Sequence, residues 1–313
     1  MKVVNIHHPY DETQIPHEEV VLVLGFFDGL HKGHQKVIET GRQIAAEKNL
    51  KLAVMTFNQH PSIVFQKQQL ETMKYLTSLT QKERLMAELN VDILYIIEFT
   101  SDFAKLPPQT FVDQYMVNLH AKYVVTGFDY SYGPKDIASV MQLPAYSKGR
   151  FTTVTVPKEA NSGVKISSTR IRKCLDKGQI KEVNDLLGYL YEIEGTVVHG
   201  DARGRTLGYP TANVRVASSV RLPQEGVYAC EIYVGGTWHQ AMGSIGRNET
   251  FERNRPVTVE VNIFDFAKDI YGEKVLVRWH DFIRGQVKFA GIDGLIAQLK
   301  QDEVDTRNYF NGK

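Results

Sequence analysis

The sequence predicts an α/β domain built on a parallel sheet, followed by a small antiparallel β-barrel closed by a helix. At 313 residues the chain is longer than one average domain. Up to about residue 185, continuous apolar runs alternate with helical patterns, which is typical of a parallel sheet covered on both faces. Beyond that point, strand-like runs follow one another without helices between them. We therefore expect domains at 1–186 and 187–313.

The first half contains the apolar runs and helical patterns of a doubly covered sheet. The predicted strands are 20–26, 51–57, 92–99 and 122–128, and the predicted helices are 34–48, 79–89 and 108–119. Ligands of such sheets bind outside the carboxyl ends of the strands. The sequence GFFDGLHKGH, at 25–34, lies at such an end.

The second half contains short strand-like runs separated by turn residues. These runs are 191–200, 226–236, 237–246, 256–266 and 274–283. The segment 291–304 has Ile292, Leu295, Ile296 and Leu299 at helical spacing, which predicts a closing helix with that apolar face. The segment 176–189 joins the two halves.

Composition and charge exclude several classes of protein. The 37 basic and 36 acidic residues give a net charge of +1, so an extended nucleic-acid surface is not expected. Cys174 and Cys230 are too few for a disulfide framework and should be buried as small apolar side chains. The N-terminus is too polar for a signal peptide, and the longest apolar run is about eight residues. We expect a cytoplasmic protein without membrane contact, and no obligate protein partner is indicated.

The turn in GFFDGLHKGH has the features of an anion site. Gly29 and Gly33 permit close backbone approach to a ligand, and the following helix directs free N–H groups at an anion. His31 and His34 could donate hydrogen bonds to phosphate oxygens as charge develops on them. For an isolated H-x-G-H pattern, an equally good interpretation is that His31 is a solvated loop residue and His34 only a helix-start residue.

A second phosphate-binding pattern is KISSTRIR, at 165–172. Three hydroxyl groups and a guanidinium converge on one helix start, which suits a triphosphate tail. The residues are Ser167, Ser168, Thr169 and Arg170. Serines at this place are more often only helix caps. The apolar face of the helix should consist of Ile171, Cys174 and Leu175.

The stretch GTVVHGDARGRTLGYPTAN, ending at Asn213, suggests a separate site. Glycines this dense between strands need a reason such as a nearby ligand, although a glycine-rich barrel corner is the alternative. The chain has no G-x-x-x-x-G-K-[ST] motif, which excludes a Walker-type loop. Thr211 and Asn213 are two residues apart at a strand start and should project to the same side. Hydroxyl and amide oxygens suit Mg²⁺.

These motifs together resemble a known family. GFFDGLHKGH, FNQHP, TGFDYSYG and KISSTRIR occur in the order seen in the N-terminal module of bacterial bifunctional riboflavin kinase/FMN adenylyltransferases. GRTLGYPTAN, PQEGVYA, VEVNIFDFAKDIYGE and VRWHDFIRGQVKFAGIDGLIAQL resemble the riboflavin kinase barrel. The resemblance covers nearly the whole chain. It implies a Rossmann-like α/β nucleotidyltransferase domain followed by an antiparallel β-barrel kinase domain with a closing helix.

The resemblance also implies roles for individual residues. In the first domain, His31 and His34 would stabilise the transferred α-phosphoryl group, and the 167–170 segment would hold the β- and γ-phosphates. ATP would lie over the H-x-G-H turn. Its further contacts would be Gly25, Phe26, Phe27, Gly33 and Asp129. In the barrel, Glu260 would be the general base. ATP and flavin would be bound there by Gly200, Gly204, Arg205, Gly208, Pro210, Thr211 and Asn213, with Mg²⁺ on Thr211 and Asn213.

The implied chemistry converts riboflavin and ATP to FMN and ADP, then FMN and ATP to FAD and pyrophosphate. The chain departs from the common pattern at Phe26, where the family often has asparagine, at the PKDIAS loop (134–139), and at 248–250. Three alternatives follow. In the first, the N-terminal domain is inactive or altered and the protein is a riboflavin kinase. In the second, the N-terminal domain adenylylates a different phosphate ester, and in the third, the protein is a flavin-binding regulator without catalysis.

Overall fold

The computed structural model describes residues 1–65, 73–161, 164–200, 204, 207–247, 257–289 and 291–312. The chain forms two compact units. One unit comprises Met1–Met73 and Thr77–Ser167, and the other comprises Lys74–Leu76 and Ser168–Lys313.

The first unit is built on a six-stranded sheet in which every neighbouring pair is parallel, in the order β1-β4-β3-β2-β5-β6. Its strands are β1 Lys2–Ile6, β2 Val20–Leu24, β3 Lys51–Phe57, β4 Ile93–Ile97, β5 Ala121–Gly127 and β6 Thr152–Val156. Its helices are α1 Lys32–Lys48, α2 Ser62–Phe65, α3 Leu79–Glu88, α4 Ser101–Ala104, α5 Pro108–Val112 and α6 Leu143–Ser147. A short 3₁₀ turn at Glu12–Gln14 and the hairpin of β7 Ala160–Asn161 with β8 Val164–Lys165 complete it.

The predicted strands of this unit are present, and they form the centre of the sheet. All five residues of β2 are buried, as are all five of β4, because helices cover both faces. The predictions omitted the edge strands β1 and β6, in which exposed or half-exposed residues interrupt the apolar pattern. The predicted helix at 108–119 was wrong in its second half, where Asp113–Val117 forms a π-helical segment.

The strand order brings the ends of β2 and β5 together. β2 and β5 are neighbours in the sheet, and the connection after β2 leads to β3 while the connection after β5 leads to β6, in the opposite direction along the sheet. Leu24 of β2 pairs with Thr126 of β5, next to the last residue of that strand. A crevice at such a switch point is where open parallel sheets bind ligands. The H-x-G-H turn follows β2 and therefore lies at this edge.

The second unit is a closed antiparallel barrel in the order β10-β13-β12-β11-β14-β9. Its strands are β9 Glu192–Val198, β10 Ala212–Val216, β11 Gly226–Val234, β12 Thr237–Gly246, β13 Thr258–Ile263 and β14 Lys274–Gly285. The helices α7 Ser168–Leu175 and α8 Ile180–Leu187 precede it, and α9 Ile292–Asn311 follows it. Trp279 and Tyr228 fill the interior in an edge-to-face contact at 5.2 Å between ring centroids. The predicted barrel and closing helix are confirmed.

The closing helix does not use the apolar face that the sequence predicts. Ile292 is 60% exposed, and Leu295 and Ile296 are only half-buried. Leu299 does pack against the barrel, on the cluster of Val227, Met242 and Phe264. The helix also continues to Asn311, and its fully buried residues are the polar Asp302 and Thr306. The spacing rule missed them because a polar residue is buried only when the fold supplies it with partners.

Asp302 is buried because Arg284 of β14 neutralises it. The Nε and Nη2 atoms of Arg284 donate to Oδ1 and Oδ2 of Asp302 at 2.7 and 2.6 Å. Gln298 donates to Oδ1 at 2.9 Å, and the Thr306 hydroxyl donates to the Asp302 backbone carbonyl at 2.7 Å. This bidentate pair, in which Asp302 is completely buried and Arg284 is 19% exposed, ties α9 to the barrel.

We expect Asp302→Asn to lower the free energy of unfolding of the barrel unit by about 3–5 kcal/mol, because it leaves the Arg284 charge unpaired. Urea unfolding followed by tryptophan fluorescence measures this, since Trp279 lies in the barrel core. Asp305→Asn is the matched control. Asp305 is exposed on the same helix, where Gln301 donates to it at 2.8 Å. Equal losses in the two variants would contradict a stabilising role of the buried pair.

Candidate functional sites

The turn between β2 and α1 has an unusual backbone. Phe27 and Leu30 have φ angles of 55° and 35°, and Gly29 has 81°. Left-handed conformations are costly for residues with a side chain, so this turn persists only because its surroundings hold it. A Cβ at Gly25 would lie 2.5 Å from the Phe27 ring, which explains the glycine at that position.

His31 caps the helix that the turn begins. Its Nδ1 accepts a hydrogen bond from the His34 backbone N–H at 3.2 Å, and helix α1 starts at the next residue. Because Nδ1 accepts, the ring proton of neutral His31 lies on Nε2. A Cβ at Gly33 would come within 3.2 Å of the His31 ring, so the glycine lets the ring lie close to the helix start.

The two predicted histidines are brought together. Their rings stack with centroids 3.6 Å apart and planes inclined by 18°. Burial lowers the pKa of His31 to about 4. Burial, with the neighbouring His31 and Lys82, holds the pKa of His34 well below its usual value. Both rings are therefore neutral at pH 7 in the free protein. The buried His34 Nδ1 has no hydrogen-bond partner among the described residues.

Asp129 follows β5 at the same edge of the sheet. Its carboxylate forms an ion pair with Lys165, whose ammonium also lies 4.8 Å from the centroid of the Phe128 ring. The PKDIAS loop folds back after this segment. The N–H groups of Ile137 and Ala138 donate to the Pro134 carbonyl at 3.1 and 2.8 Å, so the loop closes by its own hydrogen bonds without glycine.

The predicted second phosphate segment forms the start of α7. Ser168 is the first residue of the helix, and the predicted apolar face of Ile171, Cys174 and Leu175 is buried. The guanidinium of Arg170 forms an ion pair with Glu182 of α8, with Nη2 2.8 Å from Oε1. Sequence reasoning assigned Arg170 to phosphate alone and missed this partner. Cys174 and Cys230 are both free and buried, as expected.

In the barrel, Thr211 and Glu260 meet although they are 49 residues apart. The Thr211 hydroxyl donates to Oε2 of Glu260 at 3.2 Å. Glu260 pairs with Asn213 across β10 and β13, and with Ser244 on β12. Its neighbours in sequence, Val259 and Val261, are buried while Glu260 is half-buried, which is the alternation the sequence predicts.

The glycines before PTAN leave room for the Asn213 side chain and for the backbone of the loop. A Cβ at Gly200 would lie 2.2 Å from the Asn213 amide, and one at Gly204 would lie 2.2 Å from the Tyr209 carbonyl oxygen. Gly208 has φ of 80°, which favours glycine. The Pro210 carbonyl accepts a hydrogen bond from Asn262 at 2.7 Å, which fixes the start of β10. Arg205 and the 248–250 departure lie outside the described residues.

A cavity of about 950 Å³ opens on this part of the barrel. Gly200, Asn213 and Glu260 contribute to its lining. Its size is sufficient for a substrate the size of a nucleotide or flavin. The cavity therefore borders both the glycine-rich segment at Gly200 and the Glu260 carboxylate of β13.

Comparison with known proteins finds a matching family for each half of the chain. A family model described as FAD synthetase matches residues 13–170, and one described as riboflavin kinase matches residues 187–310. A Listeria monocytogenes protein named bifunctional riboflavin kinase/FMN adenylyltransferase is 48% identical, over 99% of this chain and 98% of its own. A Bacillus subtilis protein of the same name is 40% identical, over 99% of both chains.

The chain belongs to the bifunctional riboflavin kinase/FMN adenylyltransferase family. The predictions of the family, of the two-module fold and of a transferase with both activities and ATP as co-substrate are confirmed.

One solved structure that is similar to this chain has a name that differs from that of the two relatives above. A Streptococcus pneumoniae protein described as a macrolide-efflux protein shares 38% identity and a TM-score of 0.89, over 98% of this chain and 99% of its own. Among the described residues of the riboflavin kinase/FMN adenylyltransferase chain, none of the helices is long and apolar enough to cross a membrane.

Sequence reasoning missed several residues around the adenylyltransferase turn. Lys82 and Asp28 are each 3% exposed, and Thr77 is also buried. A lysine on the buried face of a predicted helix was the available signal, because lysines are almost never fully buried unless they are paired. Its partner could not be identified, because Phe26 lies 56 residues earlier in the chain.

Proposed function

We propose that the barrel phosphorylates riboflavin with ATP to give FMN and ADP, and that the α/β unit adenylylates FMN with ATP to give FAD and pyrophosphate. The observation that carries the kinase assignment is the contact of Thr211 with Glu260 beside Asn213. Neither reaction needs a covalent enzyme intermediate, because a substrate oxygen is the nucleophile in both. Catalysis then rests on positioning and on electrostatic stabilisation.

In the kinase reaction, Glu260 would act as the general base. Its carboxylate accepts the proton of the riboflavin 5′-hydroxyl as that oxygen bonds to the γ-phosphorus and the bond to the ADP oxygen breaks. The hydrogen bond from Thr211 orients the carboxylate at the cavity. The half-buried position of Glu260 supports this role, because a substrate hydroxyl can reach it.

The same corner of the barrel fits Mg²⁺. Thr211 and Asn213 supply hydroxyl and amide oxygens next to a carboxylate, and hard oxygen donors are what Mg²⁺ binds. Within the described part of the chain, no group of three or more His, Cys, Asp or Glu side chains is placed to hold a metal ion. Bound there, Mg²⁺ would neutralise charge on the nucleotide phosphates.

In the adenylyl transfer, neutral His31 and His34 would donate ring N–H groups to the α-phosphoryl oxygens. The Nε2–H of His31 is available because its Nδ1 is already engaged. A neutral donor avoids repelling Lys165, while still stabilising the charge that develops during displacement at phosphorus. The contacts of ATP with the turn and Asp129, and of its β- and γ-phosphates with the 167–170 segment, stay predictions.

Three further predictions also stay proposals. We place the domain boundary between 186 and 187, in the last turn of α8 and directly before the start of the riboflavin kinase match at residue 187. We place the protein in the cytoplasm, where its co-substrate ATP is abundant. We further propose that it works without an obligate protein partner.

We expect EDTA to abolish riboflavin phosphorylation and added Mg²⁺ to restore it. Thr211→Ala and Asn213→Ala should raise the Mg²⁺ concentration needed for half-maximal rate by at least about 10–100-fold, the loss that removal of even an outer-shell partner of a metal typically causes. FMN is separated from riboflavin by chromatography at a series of Mg²⁺ concentrations. Thr237→Ala, an exposed threonine at the start of β12, is the matched control. An unchanged Mg²⁺ requirement in a folded Asn213→Ala protein would refute the metal assignment.

A further inference from the structure

Helix α3 places a buried lysine against the H-x-G-H turn. The Nζ of Lys82 donates to the Phe26 carbonyl at 2.8 Å and to the Thr56 hydroxyl oxygen at 3.2 Å. The Thr56 hydroxyl donates to the same carbonyl at 2.9 Å. Lys82 is only 3% exposed, so its charge is removed from water and must be compensated inside the unit. Two side-chain donors, the Lys82 ammonium and the Thr56 hydroxyl, thus converge on one carbonyl oxygen.

The ring of Phe26 is held by the same group. The Lys82 ammonium lies 4.4 Å from its centroid, and the His60 ring meets it edge-on at 5.0 Å. Burial lowers the pKa of Lys82 to about 8, and the charge of Asp28 opposes that effect. Phe26 is therefore fixed through its backbone and through its side chain, at the first residue after Gly25.

The segment that precedes α3 holds the turn at two more places. The Gly29 N–H donates to the Thr77 hydroxyl at 3.2 Å, and the Thr77 N–H donates to the Asp28 carboxylate at 3.3 Å. A capping box between Ser78 and Gln81, with hydrogen bonds of 3.0 and 3.1 Å, fixes the start of α3. Residues 77–82 are therefore a rigid support for residues 26–29.

The position of His31 depends on this support. Between Phe26 and His31 the chain passes through the left-handed residues Phe27 and Leu30, a conformation that must be imposed by tertiary contacts. A change in the direction of the Phe26 carbonyl would be transmitted through this short turn to His31 and to the stacked ring of His34. An error of about 1 Å in such a group can cost about 10²-fold in rate.

We propose that Lys82 is a positioning residue for adenylyl transfer, which sets the direction of the β2–α1 turn by binding the Phe26 carbonyl and ring. It acts through Phe26 and does not contact the substrate. The proposal rests on the function proposed above for His31 and His34.

The test compares Lys82→Met, which keeps the length of the side chain, with Lys82→Gln, which keeps an N–H donor for the carbonyl. Arg84→Met is the matched control, because Arg84 is a cation on the same helix that pairs with Glu88 at 3.0 Å on the surface. FAD formation from FMN is measured in the full-length protein. We expect kcat to fall about 10²-fold in Lys82→Met, with KM for ATP and FMN changed by less than about threefold.

Lys82→Gln should recover part of that loss, and Arg84→Met should have the wild-type rate. Riboflavin phosphorylation by the same preparations should stay within about twofold of wild type, because it takes place in the barrel. Thr56→Val removes the second donor to the Phe26 carbonyl and should lower kcat in the same direction. If Lys82→Met does not fold, Thr56→Val and Lys82→Gln together test the role of Lys82.

A wild-type kcat in folded Lys82→Met would overturn the proposal. The proposal would also be overturned if kcat fell equally in Lys82→Met and Lys82→Gln and if that fall matched the unfolded fraction measured by circular dichroism. Such a result would indicate that Lys82 has a structural role only. The histidine variants described below separate this failure from a failure of the proposed function. If they are slow while Lys82→Met is normal, only the role of Lys82 is wrong. If they are normal, the adenylyl-transfer assignment fails as well.

Discussion

Glu260→Gln should slow the conversion of riboflavin to FMN by about 10²–10⁴-fold, the range that a general base contributes. Glutamine keeps the size of the side chain and can still accept the hydrogen bond from Thr211, which is 3.2 Å from the carboxylate. It cannot take up the proton of the 5′-hydroxyl, so riboflavin should accumulate. The measurement is chromatographic separation of riboflavin, FMN and FAD after incubation with MgATP.

The same variant should still convert supplied FMN to FAD at the wild-type rate, because that reaction uses the other unit and its own ATP. Glu194→Gln provides the matched control, since Glu194 is a half-buried glutamate on the barrel strand β9. Normal FMN production by Glu260→Gln would show that Glu260 is only a solvated strand residue. If the wild-type protein phosphorylates riboflavin but cannot adenylylate FMN, only one half is active. If neither flavin is modified although FMN binds, the protein is a regulator.

His31→Asn and His34→Ala should each slow FAD synthesis from FMN by about 10²–10³-fold, the cost of removing one preorganised donor to a developing charge. Asparagine at position 31 is informative because it is a preferred helix cap and lacks the imidazole ring. It therefore preserves the cap that Nδ1 of His31 supplies to the His34 N–H and removes the Nε2–H donor. His31→Ala, in comparison, loses both.

Riboflavin phosphorylation should be unchanged in all three variants, which serves as the internal control for folding and for nucleotide quality. His17→Ala, at an exposed histidine of the same unit, should have the wild-type rate in both reactions. Recovery of FAD synthesis in His31→Asn but not in His31→Ala would mean that His31 is only a helix cap. Normal rates in His34→Ala would contradict the donor role of the second ring.

The local patterns of the sequence were sufficient for much of the architecture. β2 is a continuous apolar run and is completely buried, and β12 has the bounds that the sequence predicts. The positions of His31 and of the PTAN segment followed from glycines and strand ends, which are local features. The predictions were weaker where polar residues enter the core. Asp302 is buried on α9 while Ile292 of the same helix is exposed.

The sequence by itself determined the four central strands of the parallel sheet, the barrel with its closing helix and the two separate site motifs, because each is encoded in the spacing of residues that are close in the chain. Only the tertiary structure decided which distant groups meet. The Thr211 hydroxyl contacts Glu260 across 49 residues, and Lys82 reaches the Phe26 carbonyl across 56. Arg284 neutralises Asp302 in the same way. Burying a charge or a hydroxyl is favourable only beside a specific partner, and that partner is set by strand order and register.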